Sequence, residues 1–125
     1  MRRLRALVAD DDPEMLHLVS TVVAQCGADV TVAETGHDLL DKIADDGPYD
    51  FVVTDIAMPW MTGVQVMQSA RTAGLPIPVI VMTGMRGTKM IEQVEALGGH
   101  ATLLLKPFSV NELNDALRAA IATVH

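Results

Sequence analysis

Phe51-Val52-Val53-Thr54-Asp55 runs directly into Ile56-Ala57-Met58-Pro59-Trp60-Met61-Thr62-Gly63. A short, mostly apolar run ends on a carboxylate, and a proline and a glycine soon follow. A run of this length bounded by turn residues reads as a strand buried on both faces. Such a strand belongs in a parallel sheet with helices packed above and below it. Its terminal carboxylate then emerges at the C-terminal edge of the sheet. Three other runs share this form. Leu7-Val8-Ala9 ends in Asp10-Asp11, Val79-Ile80-Val81-Met82 ends in Thr83, and Leu103-Leu104-Leu105 ends in Lys106.

Helical patterns separate these runs. After a strand over 4–9, Asp12-Pro13-Glu14 supplies a cap residue, a first-turn proline and a first-turn acid. Met15, Val19, Val22 and Cys26, with Leu16 and Val23, recur at helical spacing, and Gly27 ends the helix. Residues 29–33 alternate through Val30, Thr31 and Val32, as in a half-exposed edge strand. A helix over 36–46 turns Leu39, Leu40 and Ile43 inward and stops at Gly47-Pro48. A strand over 50–54 and a helix over 63–73, ended by Gly74 and Pro76, come next. A strand over 78–82 precedes a helix over 88–97 with Met90, Ile91, Val94 and Leu97 on one face. The last strand covers 101–105, and the capping box Ser109-Val110-Asn111-Glu112 opens a final helix whose inner face is Val110, Leu113, Leu117 and Ile121. Strands and amphipathic helices in alternation predict an α/β fold, a single doubly wound, five-stranded parallel sheet with helices on both faces. Right-handed crossovers bring all the strand C-termini to one edge, where such folds bind their ligands.

The bulk properties narrow the function. A chain of 125 residues, half of them hydrophobic and 20% charged, builds one domain with a sizeable core, here taken as residues 1–125. The net charge of −7 argues against a nucleic-acid surface, which needs clustered Lys and Arg. Arg2, Arg3 and Arg5 form the one basic cluster and read as a solvated flank of the first strand. Cys26 is the single cysteine, so no internal disulfide forms, and a reduced cytoplasmic setting fits. No apolar stretch approaches the roughly 20 residues of a membrane span. No signal-peptide core precedes Asp10. His17, His37, His100 and His125 share no metal-binding spacing and are expected at the surface.

The strand-end residues carry the chemistry. Asp10, Asp11 and Asp55 at one sheet edge repel one another unless a cation is present. Mg²⁺, a hard ion held by one or two carboxylates, waters and phosphate, resolves that conflict. A carboxylate beside it can attack phosphorus and form an acyl phosphate. Thr83 offers a hydroxyl and Lys106 a point charge for the phosphoryl oxygens. Phosphoryl transfer asks for little beyond such positioning and electrostatics. Asp12 is assigned to the helix cap rather than to the site.

Four motifs in order then resemble the receiver domain of two-component response regulators, of the chemotaxis-regulator kind. They are Leu7-Val8-Ala9-Asp10-Asp11-Asp12-Pro13, Asp55 through Gly63 as quoted above, Val81-Met82-Thr83-Gly84, and Lys106-Pro107-Phe108. The resemblance covers essentially the whole chain and implies a flavodoxin-like sheet of order 2-1-3-4-5. It implies that Asp55 accepts a phosphoryl group from a phosphohistidine on a histidine kinase or phosphotransfer protein. Asp11, Asp55 and the backbone carbonyl of Ala57 are then the direct Mg²⁺ ligands, Asp10 acts through water, and Thr83 and Lys106 contact the phosphoryl group. The protein is then a switch rather than a turnover enzyme, acting on a downstream protein or a fused effector domain through the surface of the fourth helix, fifth strand and fifth helix. A cis Lys106-Pro107 bond is also implied.

Departures from the family pattern bear on readout. Leu103 stands where the family commonly has a rotating Tyr or Phe. Coupling then rests on the loop Gly84-Met85-Arg86-Gly87. In that family the positions held here by Ala57 and Met85 influence water attack on the acyl phosphate, and neither side chain orients a water, so the resemblance implies slow self-dephosphorylation. The competing reading is a degenerate receiver serving as a phosphorylation-independent docking module. A flavin-type cofactor binder is opposed by the acids after the first strand, and an aspartyl phosphohydrolase by Ala57, where a second acid is needed.

Overall fold

Five strands alternate with five helices in the computed structural model, which describes residues 3–84, 87–98 and 100–124. The elements are β1 (Arg5–Ala9), α1 (Pro13–Gln25), β2 (Asp29–Ala33), α2 (Gly36–Asp45), β3 (Phe51–Asp55), α3 (Gly63–Thr72), β4 (Val79–Thr83), α4 (Thr88–Glu95), β5 (Ala101–Leu105) and α5 (Val110–Ala122). The strands form one sheet in the order β2-β1-β3-β4-β5, and every neighbouring pair is parallel. This is the fold expected from the alternating pattern, with β2 on an edge and β3 at the centre.

Every residue of β3 and of β4 is buried, which is why both read as continuous apolar runs. Successive side chains along a strand face opposite ways. Leu7, Val52 and Val81 therefore pack with Leu39, Val64, Met67 and Val94, from α2, α3 and α4, on one face. Val8, Phe51, Val53, Ile80 and Met82 pack with Val19, Val23, Leu113 and Leu117, from α1 and α5, on the other. Each large apolar side chain so enclosed contributes about 1.5–3 kcal/mol.

Side-chain caps fix four helix starts. Asp12 accepts from the Glu14 N–H, Thr35 from the Asp38 N–H, and Thr62 and Ser109 each complete a capping box. The Lys106-Pro107 bond is cis, as expected, and so is Gly47-Pro48. Three residues placed on apolar helical stripes are exposed instead. Cys26 lies past the last turn of α1, as its C-cap. Val110 opens α5, beyond the reach of the core. Ile91 lies on α4, whose span stops at Glu95 and buries only Val94. Helical spacing identifies a stripe, but it does not say how far the stripe extends past the layer it packs on.

Arg71 of α3 ties its own helix end to the turn after α4, its Nε donating to the Leu97 carbonyl at 2.9 Å and its Nη1 to the Leu75 carbonyl at 3.0 Å. Among the described residues, no helix is long and apolar enough to cross a membrane.

Candidate functional site

β1 and β3 are neighbours in the sheet, with Ala9 paired to Thr54, so the residues that follow them emerge side by side. Asp10, Asp11 and Asp55 each place a carboxylate oxygen within 4.8 Å of the other two. Asp10 and Asp55 are buried, and Asp11 is exposed. Asp10 receives the Asp12 N–H on Oδ1 at 3.0 Å, leaving Oδ2 to face the Lys106 Nζ at 3.4 Å. The same ammonium lies 3.5 Å from Asp55 Oδ1.

Lys106 comes from the far side of the sheet. It follows β5, and its backbone N–H donates to the Thr83 carbonyl at 2.7 Å, which locks the two strand ends together. Thr83 is buried at the end of β4, one residue past Met82, the partner of Asp55 in the sheet register. The five side chains predicted to converge thus sit on four adjacent strand ends. Ala57 follows in the β3–α3 loop, exposed. Met85 and Arg86 lie outside the described residues, and with them the middle of the loop assigned to coupling.

Burial pushes the Asp55 carboxyl above its usual range, and the charge of Asp10 adds to that shift; Lys106 and a hydrogen bond from the Ile56 backbone oppose it without cancelling it. Oxygen ligands gathered this closely suit a hard divalent cation. The residues present therefore fit Mg²⁺.

Two supporting residues were not assigned roles from sequence. Thr54, fully buried, donates its hydroxyl to the Asp55 carbonyl at 2.9 Å. Gly63 closes the loop by donating its N–H to the Ile56 carbonyl at 3.1 Å. A Cβ on Gly63 would collide with the Asp55 carbonyl oxygen and stand 2.8 Å from Thr54 Oγ1. The glycine closing the quoted motif was the available signal, but the steric reason needs the fold. Gly63→Ala is expected to destabilise the protein by about 1–3 kcal/mol, the usual range for overpacking. It should also slow the phosphoryl acceptance expected at Asp55 from the sequence, because the strand end carrying that residue must shift. Chemical denaturation and labelling kinetics on the same variant check both effects.

The sequence pattern of the "Response regulator receiver domain" matches residues 6–118. The chain belongs to the response regulator receiver domain family. This receiver is 34% identical over 119 residues to the response regulator MprA of Mycolicibacterium vanbaalenii, a match covering 94% of this chain and 50% of the relative. It spans about half the length of the curated relatives it matches. The receiver domain of Francisella response regulator 1452 superposes with a TM-score of 0.84 at 30% identity, over 97% of this chain and 99% of that one. The chemotaxis response regulator CheY4 of Vibrio cholerae shares the fold, with a TM-score of 0.85 at 24% identity, over 95% of this chain and 99% of that one. Receivers of this family belong to two-component response regulators, and the acidic pocket with its lysine is consistent with phosphorylation-dependent switching.

Proposed function

We propose that the chain is a single receiver unit over residues 1–125, a signalling switch whose Asp55 accepts a phosphoryl group from a phosphohistidine of a sensor kinase or phosphotransfer protein, with Mg²⁺. The observation that carries this reading is the meeting of Asp10, Asp11 and Asp55 within 4.8 Å with one lysine on two of them. One Asp55 carboxylate oxygen forms a bond to phosphorus as the histidine N–P bond breaks. The electron pair stays on the imidazole nitrogen, which takes a proton from solvent. Lys106 lies close enough to pair with the incoming phosphoryl oxygens, and the Thr83 hydroxyl is assigned to donate to them. Asp11, Asp55 and the Ala57 carbonyl would hold Mg²⁺, with Asp10 acting through water, and the ion would supply charge that neutralises the phosphoryl oxygens.

Readout rests on the loop after Thr83 rather than on an aromatic rotor at position 103. Leu103 is partly buried and packs, like Met90 of α4, against the core on that face of the sheet. Output goes to a downstream protein or to an effector domain on the same polypeptide, as the greater length of the relatives favours. Direct nucleic-acid binding is disfavoured by the net charge of −7, and a cytoplasmic location fits a single cysteine with no internal partner. Acetyl phosphate with Mg²⁺ should add the mass of one phosphoryl group, mapped to the peptide holding Asp55, and chelation should prevent it. An unlabelled protein, or a label elsewhere, would remove the reading.

A further inference from the structure

Glycines aside, Trp60 is the single described residue with positive φ, at 74°. It is also 85% exposed, the most open of the large hydrophobic side chains among the described residues. Both features disfavour tryptophan here. A bulky residue is strained in the left-handed region, where glycine or asparagine sits at ease. An indole in water is uncompensated apolar surface. Trp60 belongs to neither core cluster, so the fold makes no use of its ring.

Its position is more informative. The loop after Asp55 closes on itself through the bond from the Gly63 N–H to the Ile56 carbonyl. Trp60 lies three residues before Gly63, so their Cα atoms are at most about 11 Å apart. Gly63 itself abuts the Asp55 carbonyl. An ordinary protein interface covers about 800 Å² per partner, a disc of about 16 Å radius. A protein donor that brings phosphorus to Asp55 is therefore large enough to cover Trp60 as well, whereas acetyl phosphate is not.

Beside the ring is an open hollow of about 580 Å³, lined also by Met61 and by Gln65, Gln68, Ser69 and Thr72 on the outer face of α3. None of these side chains is charged, in a chain where 20% of residues are. Uncharged polar groups give up water more readily than charged ones. Tryptophan and methionine in a charge-poor setting are typical of interface centres.

We propose that Trp60 and the hollow beside it anchor the protein phosphodonor over Asp55, and so determine which phosphohistidine proteins can phosphorylate this receiver. The inference rests on the reading of Asp55 as phosphoacceptor. Trp60 is a docking residue and takes no part in the transfer of phosphorus.

The test uses the full chain, acetyl phosphate as the small donor, and ATP-charged cytoplasmic cores of the histidine kinases encoded in the same genome. The core that labels the wild type fastest is then used with Trp60→Gly, Trp60→Asn and Trp60→Phe. The Gly and Asn variants should lose about tenfold or more in transfer rate at subsaturating kinase. They should keep acetyl phosphate labelling within about twofold and a melting point no lower than wild type, as relief of the left-handed strain requires. The Phe variant should restore most of the kinase rate. Equal kinase rates in all proteins overturn the proposal, as does an equal loss with both donors. A wild type labelled by acetyl phosphate but by no kinase core overturns it too. So does a Trp60-dependent dimer with unchanged transfer, which assigns the face to a second copy. A wild type that acetyl phosphate fails to label instead refutes the assignment of Asp55.

Discussion

Asp55→Asn is expected to abolish phosphoryl labelling and yet, without metal at neutral pH, to make the protein more stable. Loss of labelling follows from loss of the nucleophile. The gain in stability follows from the charges. At an effective dielectric of about 20, the Lys106 ammonium 3.5 Å away attracts the Asp55 carboxylate by about 4.7 kcal/mol. Asp10, within 4.8 Å, repels it by at least about 3.5 kcal/mol. These nearly cancel, and exposed Asp11 adds a smaller, screened repulsion. What remains is the cost of burying the carboxylate, consistent with burial as the chief cause of its raised pKa. The variant should gain about 1–2 kcal/mol in chelator, read as a melting point several degrees higher.

The pH dependence carries a definite sign. A carboxyl whose folded pKa lies above its unfolded value binds its proton more tightly in the folded state. Its contribution to stability is fully present below the unfolded pKa, about 3.9, and is lost as pH rises through the raised folded value. The advantage of Asp55→Asn should therefore be greatest at neutral pH and fade as pH falls toward 4. Mg²⁺ should reverse the ranking. A ligand at a hundred times its Kd stabilises by about 2.7 kcal/mol, and the wild type offers the ion one more carboxylate than the variant does. Melting curves of both proteins in chelator and in Mg²⁺, at several pH values, check this. A destabilised variant in chelator at pH 7 would contradict the charge argument.

Much of this arrangement is legible in the sequence because doubly wound sheets convert order along the chain into position in space. Continuous apolar runs mark strands covered on both faces, and right-handed crossovers send their last residues to one edge. Asp10, Asp11, Asp55, Thr83 and Lys106 could be placed at one sheet edge for that reason. The residues that hold them in place were not. Thr54 supports Asp55 through its own carbonyl, a contact with no periodic signature. Gly63 is required by close approach between segments, which only the packed fold defines. Ile91 and Val110 satisfy helical spacing and yet face solvent, because spacing does not reveal where the neighbouring layer ends.

Lys106 separates the stability of the site from its chemistry. Lys106→Met keeps much of the aliphatic stem and removes the one cation within 4 Å of Asp10 and Asp55 among the described residues. Removing one partner of a buried ion pair generally costs 3–5 kcal/mol, because the other charge stays buried and unpaired. The Lys106 side chain is 23% exposed, which places the expected loss near the low end, about 3 kcal/mol in chelator at neutral pH. Phosphoryl labelling should slow by about 10²-fold, as when one preorganised donor is taken from a developing negative charge. The double variant Lys106→Met with Asp10→Asn distinguishes the two effects. Neutralising Asp10, whose side chain is wholly buried, removes one of the two carboxylates stranded by the first change and its repulsion of Asp55, so a substantial part of the stability should return. The labelling rate should not return, since the phosphoryl oxygens still meet no ammonium and the metal has lost a supporting acid. Parallel recovery of both quantities would mean that Lys106 serves the fold alone. Recovery of stability without rate assigns the lysine to the phosphoryl group and the acids to the metal.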